Sequence, residues 1–110
     1  MSFLSKIIAV LEKNGVPTQT VHFTQTPLPD EYAVITPMID SFEIFADNKP
    51  QIETSSARIS IFTRGNFTEL VKRISFSLIE SDFFVTDRRY IGYEKEAMYH
   101  HYSIDTEAVI

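Results

Sequence analysis

Residues 54–81 have the sequence TSSARISIFTRGNFTELVKRISFSLIES, and the spacing of the apolar residues changes within this stretch. Up to Thr63, apolar and polar residues alternate, which is typical of a strand with one buried face. From Asn66 to Ser81 the apolar residues recur at helical spacing, and Asn66 with Glu69 three residues later is the pattern of a helix N-cap. The stretch therefore predicts a strand that leads directly into an amphipathic helix.

A further helix is predicted at the N-terminus, over Ser2–Asn14. Its apolar residues cluster on one side of the helix, which indicates a face that packs against the rest of the domain. Ser2 can cap the start of the helix, and Gly15 can end it in a left-handed turn before Pro17. The apolar residues on this face are Phe3, Leu4, Ile7, Ile8, Val10 and Leu11.

The remaining segments show strand patterns between turn residues. Three strands are predicted before residue 54, and the first of them contains Val21 and Phe23. Pro37 is expected at a sheet edge or a bulge. The other predicted strands are 32–38, 42–47, 83–87 and 98–105, with a turn at 47–50 and a polar connection over 88–96.

These elements predict the order α-β-β-β-β-α-β-β. Runs of strands with two separate helices favour an α+β domain, in which both helices pack on one face of a mostly antiparallel sheet. The chain has 110 residues, of which 44% are hydrophobic and 23% charged, so we expect a single domain over residues 1–110.

Composition excludes several classes of function. The chain has no cysteine, which rules out disulfide scaffolds, cysteine-based zinc sites and thiol catalysis. The net charge of -5 argues against nucleic acid as the main partner. No signal peptide or membrane-spanning run is present, so we expect no membrane association and a cytoplasmic site of synthesis.

The histidines and serines do not predict a catalytic or metal site. His100 and His101 are neighbours in a predicted strand, so their side chains point to opposite faces and do not bind one ion together. His22 is the third histidine. No serine lies in a nucleophile-elbow context. We therefore expect no enzyme, no catalytic residues, no metal and no other cofactor.

Three residues are candidates for a subunit interface. Phe76 lies opposite the apolar stripe of the second helix, and a large aromatic residue on a polar helix face suggests an interface. The alternative is that another segment of the chain covers it. Arg88 and Arg89 either form the solvated tip of a hairpin or make a charged contact with a partner subunit.

Charge is distributed unevenly along the sequence. No lysine or arginine occurs between Lys13 and Lys49, whereas seven basic and five acidic residues lie from Arg58 to Lys95. A subunit with one acidic and one basic side can associate head to tail with copies of itself around a ring. An ordinary solvated surface is the alternative explanation.

Several short motifs resemble a known family. Asp47–Pro50, the strand-to-helix stretch Arg58–Phe67, and Tyr93 followed by Met98–Ser103 are similar to small tail proteins of long-tailed phages and prophages of Gram-positive bacteria. The resemblance is to the tail-completion or tail-terminator group at the head–tail joint. It implies a ring, typically a hexamer, on the last layer of the tail tube, in contact with other tail and head-connector proteins. This group has no active-site motif to transfer.

We therefore expect a structural virion protein, assembled in the cytoplasm of a bacterial host and then part of the tail. The alternative is a small binding or regulatory module of the host. A minor hydrolase or a nucleic-acid-binding protein is less favoured. The aromatic run Tyr99–Tyr102 suggests base stacking, but acidic residues surround it. These acidic residues are Glu94, Glu96, Asp105 and Glu107.

Overall fold

The computed structural model describes residues 2–21, 24, 26–44 and 50–109. In this part of the chain, five strands form one sheet in the order β1-β2-β3-β5-β4. Neighbouring strands are antiparallel, except that β1 runs parallel to β2. The predicted α+β class with two helices and a mostly antiparallel sheet is confirmed. The elements are α1 (Phe3–Lys13), β1 (Thr18–Thr20), β2 (Glu31–Ile44), β3 (Pro50–Thr63), α2 (Phe67–Glu80), β4 (Phe84–Glu94) and β5 (Tyr99–Val109).

Both predicted helices are confirmed together with their caps. The Ser2 hydroxyl accepts a hydrogen bond from the Ser5 amide at the start of α1. Asn66 accepts one from the Glu69 amide at the start of α2, at 3.2 Å. Gly15 follows α1 with a φ of +81°, a left-handed conformation that glycine adopts at little cost. Neither helix is long and apolar enough to cross a membrane.

The predicted order of elements is roughly confirmed, but the second helix follows three strands instead of four. β2 is one strand where the sequence predicts two, so α2 follows the third strand and the order is α-β-β-β-α-β-β. The pairing of β2 with β3 is irregular between Pro37 and Asp40, and this bulge lets the chain continue as a strand without a loop. Residues 45–49, with most of the predicted turn at 47–50, lie outside the described residues.

Pro37 is tolerated inside β2 because of where its nitrogen lies. The Ala33 amide donates to the Pro17 carbonyl, and the Ile35 carbonyl accepts from the Val21 amide, both toward the outer edge of β2. By the two-residue alternation of a strand, the Pro37 nitrogen also lies on that edge. β1 pairs with β2 only as far as Ile35, so the missing N–H removes no bond to β1.

Two other predicted boundaries are wrong. β1 ends at Thr20, because Val21 has a φ of 73°, which breaks the extended backbone; Phe23 lies outside the described residues. The predicted polar connection over 88–96 is strand as far as Glu94. Most of β4 is exposed on both faces, so its sequence lacks the alternation of a half-buried strand.

The core lies between the two helices and one face of the sheet. Ile59 on β3 is in register with Ile35 on β2 and Ile104 on β5, so the three side chains share that face. The buried residues of α1 and α2 pack on them in a single cluster. From the helices, its fully buried members are Ile7, Leu11, Leu70, Ile74 and Leu78.

The molecule is elongated, with extents of 55 × 25 × 23 Å. Its radius of gyration is 15.2 Å, compared with about 13 Å for a compact domain of this length. β5 pairs with β3 only from Thr54 onward, and β1 pairs with β2 only as far as Ile35. Among the described residues, 42–44 and 50–53 therefore pair only with each other.

Candidate functional site

A groove with a volume of about 630 Å³ runs between α2 and the edge strand β4. On α2 the groove is lined by two largely exposed apolar side chains, since Phe76 is 58% exposed and Ile79 is 57% exposed. β4 pairs with β5 on one side, and its other side has no strand partner in the part of the chain that the structure describes. The residues of this α2–β4 groove used below are Lys72, Phe76, Ile79, Val85, Arg88 and Tyr102.

The helical period of α2 explains why the groove is apolar. Leu70, Ile74 and Leu78 are spaced four residues apart and are buried in the core. Phe76 and Ile79 are three residues apart, so they are neighbours on the helix surface outside that buried stripe. Two large apolar side chains thus lie beside a sheet edge that has no strand partner among the described residues, and more than half of each is exposed.

The apolar surface continues past the groove. A second hollow of about 650 Å³ shares Ile79 and Val85 with it. This hollow is also lined by Phe84 at the start of β4, which is 61% exposed, and by Val109 at the end of β5, which is 59% exposed. Clusters of exposed apolar residues of this kind mark interaction surfaces in soluble proteins.

Two cations border the groove. Lys72 and Arg88 make no ion pair with any described carboxylate, and Arg88 Nη1 lies 3.5 Å from the Ser75 hydroxyl. The other arginines are neutralised within the chain. Their ion pairs are Arg58–Asp105, Arg64–Asp30, Arg73–Glu69 and Arg89–Asp87. The groove therefore combines an apolar floor with uncompensated positive charge, which suits a partner with apolar and acidic residues.

An aromatic cluster lies next to the groove and meets it at Phe67. The ring of Phe67, at the first position of α2, lies 5.0 Å from Tyr90 and 4.9 Å from His100 between centroids. The Tyr90 hydroxyl and His100 Nδ1 are hydrogen-bonded at 3.0 Å. Tyr93 packs on the same imidazole at 4.8 Å. The cluster fixes the start of α2 against β4 and β5, and so fixes the width of the groove.

The structure brings together two of the three predicted interface residues. Phe76 and Arg88 line the same groove. Arg89 lies on the opposite face of β4 and pairs with Asp87 at 2.8 Å. Of the two alternatives for these arginines, the hairpin tip is wrong, because Arg88 and Arg89 pair with Ile104 and Ser103 in the middle of the β4–β5 ladder. Consecutive strand residues point to opposite faces.

The histidines are separated as the sequence predicts. His100 lies with Phe67 on the helix side of the sheet, and His101 stacks on Phe62 on the other side. Over residues 2–21, 24, 26–44 and 50–109, no three His, Asp or Glu side chains are close enough to hold one metal ion. His22 lies outside the described residues.

The aromatic run near the C-terminus does not form an exposed stacking platform. Tyr99 is 1% exposed and its hydroxyl donates to the Pro29 carbonyl. The Arg64 guanidinium lies over the Tyr99 ring, 4.3 Å from its centroid. Tyr102 packs against the core. A base could not reach the face of Tyr99 without displacing Arg64.

Sequence reasoning missed Lys72, Ile79 and Phe84 as parts of this surface. Ile79 could have been identified from the sequence, since it lies three residues after Phe76 and therefore on the same face of the helix. For Phe84 the sequence contained no such indication, because its exposure depends on β4 being an edge strand.

No protein-family model matches the chain, and no curated protein matches it either.

Proposed function

We propose that this chain is a non-enzymatic structural subunit that assembles with copies of itself, as a tail-completion or tail-terminator protein of a long-tailed phage or prophage. The observation that carries the proposal is the α2–β4 groove. It combines a free strand edge with exposed Phe76 and Ile79, and monomeric proteins normally protect such edges.

The chemistry of the groove favours docking over catalysis. Its titratable side chains are Lys72, Arg88 and the phenol of Tyr102, with no carboxylate or imidazole among the residues that line it. General acid–base or nucleophilic catalysis needs an acid and a base within hydrogen-bond reach of one reacting group. A lysine and an arginine beside an apolar wall instead resemble the rim of a protein–protein interface.

The two edges of the sheet differ, which supports a head-to-tail arrangement. One edge is formed by β1 and by the outer side of β2, and the opposite edge by β4. A contact between unlike edges is heterologous, and such contacts generate closed rings when the rotation between subunits closes. The hexameric ring that the family resemblance implies is one such closed arrangement.

Purified particles provide the direct test. We expect mass spectrometry of virions induced from the source strain to detect the chain in a fixed low copy number. Deletion of its gene should leave tails of uncontrolled length that do not join heads, and supplying the gene in trans should restore intact particles. Particles that lack the protein, or a deletion strain with normal particles, would overturn the proposal.

A further inference from the structure

We propose that two copies of the chain pair through the outer face of α2, with the two helices antiparallel about a two-fold axis at Phe76. The inference rests on the proposed function, because it identifies which residues meet when the chain associates with itself beside the α2–β4 groove. It follows from the order of charged and apolar side chains along α2 and from the distances between them.

Lys72, Phe76 and Glu80 form one row along the outer face of α2. They are four residues apart, so each is the neighbour of the next on the helix surface. All three are exposed, and within the described chain neither Lys72 nor Glu80 makes an ion pair. Glu69 and Arg73, on the same side of the helix, pair with each other at 3.8 Å. The row thus has a free cation at one end, a free carboxylate at the other and an aromatic ring between them.

An antiparallel pair of helices satisfies both ends of this row. Rotation about a two-fold axis at Phe76 places Lys72 opposite Glu80 of the partner subunit, and symmetry repeats the contact at the other end. Rows of residues four apart are also the ridges through which helices most often interdigitate. A parallel pair would instead place each Lys72 beside its own equivalent, which disfavours that arrangement.

Helix geometry keeps the like charges of the pair apart. Lys72 lies four residues from the axis, about 6 Å along the helix at 1.5 Å per residue. The two Lys72 residues are therefore about 12 Å apart along the pair, which exceeds the Debye length of about 8 Å at physiological ionic strength. Each Lys72 lies level with a glutamate of the other copy. Attraction at the two ends therefore outweighs the repulsion between like charges.

The apolar side chains of α2 lie between the charged ones, as in interfaces with an apolar centre and a polar rim. Phe76 is 58% exposed, and Ile79, three residues later, is 57% exposed. Pairing covers both side chains in both copies. The contact is small for a protein interface, so we expect the pair to dissociate on dilution.

A two-fold contact closes after two copies, so it differs from a head-to-tail contact that continues around a ring. It lies on the outer face of α2, whereas the head-to-tail contact would join unlike edges of the sheet. The backbone groups at the edge of β4 take no part in it. One subunit can therefore make both contacts.

Charge reversal at the two ends of the row tests the pairing. Lys72→Glu and Glu80→Lys should each weaken self-association at least about tenfold in sedimentation velocity at low salt, because each opposes like charges. A chain with both substitutions should recover association, because the two ends of the row are reversed together. An equimolar mixture of the two single variants should recover it too, as a pair with one copy of each.

Matched variants on α1 control for net charge. Lys6→Glu and Glu12→Lys make the same changes of charge at exposed positions, and should leave association unchanged. Circular dichroism establishes that each variant is folded. Glu80→Gln removes the carboxylate with almost no change of shape. It should weaken association in the same direction, and it serves if a reversed charge prevents folding.

A single cysteine tests the symmetry, because the chain has no cysteine of its own. At a two-fold axis a residue meets its own equivalent, so the Phe76→Cys chain should form a disulfide-linked dimer under mild oxidation. Thr68→Cys is the matched control, exposed on the same helix and about 12 Å from the axis. Its equivalent lies about 24 Å away along the pair, so it should not cross-link.

The outcomes separate this inference from the proposed function. Charge-reversed single variants that associate like the wild type, a folded double variant that stays dissociated, or equal cross-linking of the two cysteine variants would overturn the two-fold contact. Wild-type protein that remains monomeric at millimolar concentration would overturn it as well. None of these results removes the chain from virions, which is the measurement that decides the proposed function.

Discussion

The imidazole of His101 lies flat against the ring of Phe62, with centroids 4.3 Å apart and planes 21° apart. Phe62 stacks in turn on Tyr32, at 4.8 Å and 14°. One ring from each of β2, β3 and β5 thus forms a row across the face of the sheet away from the helices. His101 Nε2 is buried and has no hydrogen-bond partner within the described part of the chain. Burial lowers the pKa of His101, although the charge of Glu94 acts in the opposite direction.

This environment makes part of the folding stability depend on pH. In the unfolded chain, His101 binds a proton at its ordinary pKa of about 6.5, whereas the folded chain binds it only at lower pH. Between these two pKa values the unfolded state binds more protons, so the free energy of unfolding decreases as the pH falls. His101→Phe keeps an aromatic ring at the stack and removes the titration. Its free energy of unfolding, measured with urea, should therefore decrease less between about pH 7.5 and about pH 5.5.

The variant His101→Gln distinguishes the effect of protonation from the effect of ring stacking, because it removes both the titratable group and the ring. It should flatten the pH dependence as His101→Phe does, while lowering stability at every pH through loss of the stack on Phe62. The difference in slope between each variant and the wild type is the informative quantity, because it isolates the contribution of residue 101. Equal slopes in the wild type and both variants would contradict the role assigned to His101.

Tyr99 anchors the loop before β2. Its hydroxyl donates to the Pro29 carbonyl at 2.6 Å, and the residue is 1% exposed. Tyr99→Phe should lower the free energy of unfolding by about 0.5–1.5 kcal/mol, because a part-buried hydrogen bond to the Pro29 carbonyl is lost. Tyr93→Phe is the matched control, since Tyr93 is 48% exposed, and its effect should stay within about 0.5 kcal/mol. Denaturant titrations that show the same small effect for both variants would argue against the anchor.

The helices could be predicted from sequence because their determinants are local. Caps at Ser2 and Asn66 and the apolar stripes lie within a few residues of one another. The continuity of β2 across Pro37 could not be predicted, because it depends on a bulge in the pairing with β3 and on an outer edge that β1 leaves unpaired. The length of β4 depends in the same way on its distant partner β5.

The candidate site was partly predictable for the same reason. Helical period alone places Phe76 outside the core stripe, and the structure has it 58% exposed. The sequence left two alternatives for Arg88 and Arg89, a hairpin tip or a contact with a partner subunit, and the continuing strand excludes the first. Once both residues are placed in a strand, alternation separates them and leaves only Arg88 at the groove.

The cap of α2 supports the helix that carries the groove wall. Asn66 Oδ1 accepts the Glu69 amide, which has no partner within the helix. Asn66→Ala should lower the free energy of unfolding by about 1 kcal/mol. Thr68→Ala, two residues later at an exposed position, should change it by less than about 0.5 kcal/mol. If chemical denaturation gives equal values for the two variants, the cap does not stabilise α2.

Phe76 distinguishes an assembly role from a folding role. Since its side chain is 58% exposed, Phe76→Ser should change the free energy of unfolding by no more than about 0.5 kcal/mol. Removal of an aromatic anchor from an interface should weaken self-association by about 2 kcal/mol or more, roughly thirtyfold in the dissociation constant. Thermal melting and light scattering on the same samples measure both quantities. Raised salt should weaken association further, because it screens the charges at the groove.

Two control variants show what to expect from a core residue and from an exposed residue outside the groove. Ile74→Ala removes a fully buried side chain two residues away on the core side of α2, and should lower stability by about 2–5 kcal/mol. Met98→Ser removes a side chain that is 57% exposed outside the groove, and should affect neither stability nor assembly. If Phe76→Ser behaves like Ile74→Ala and leaves assembly intact, Phe76 belongs to the fold. Only a loss of assembly at unchanged stability is consistent with a contact between subunits.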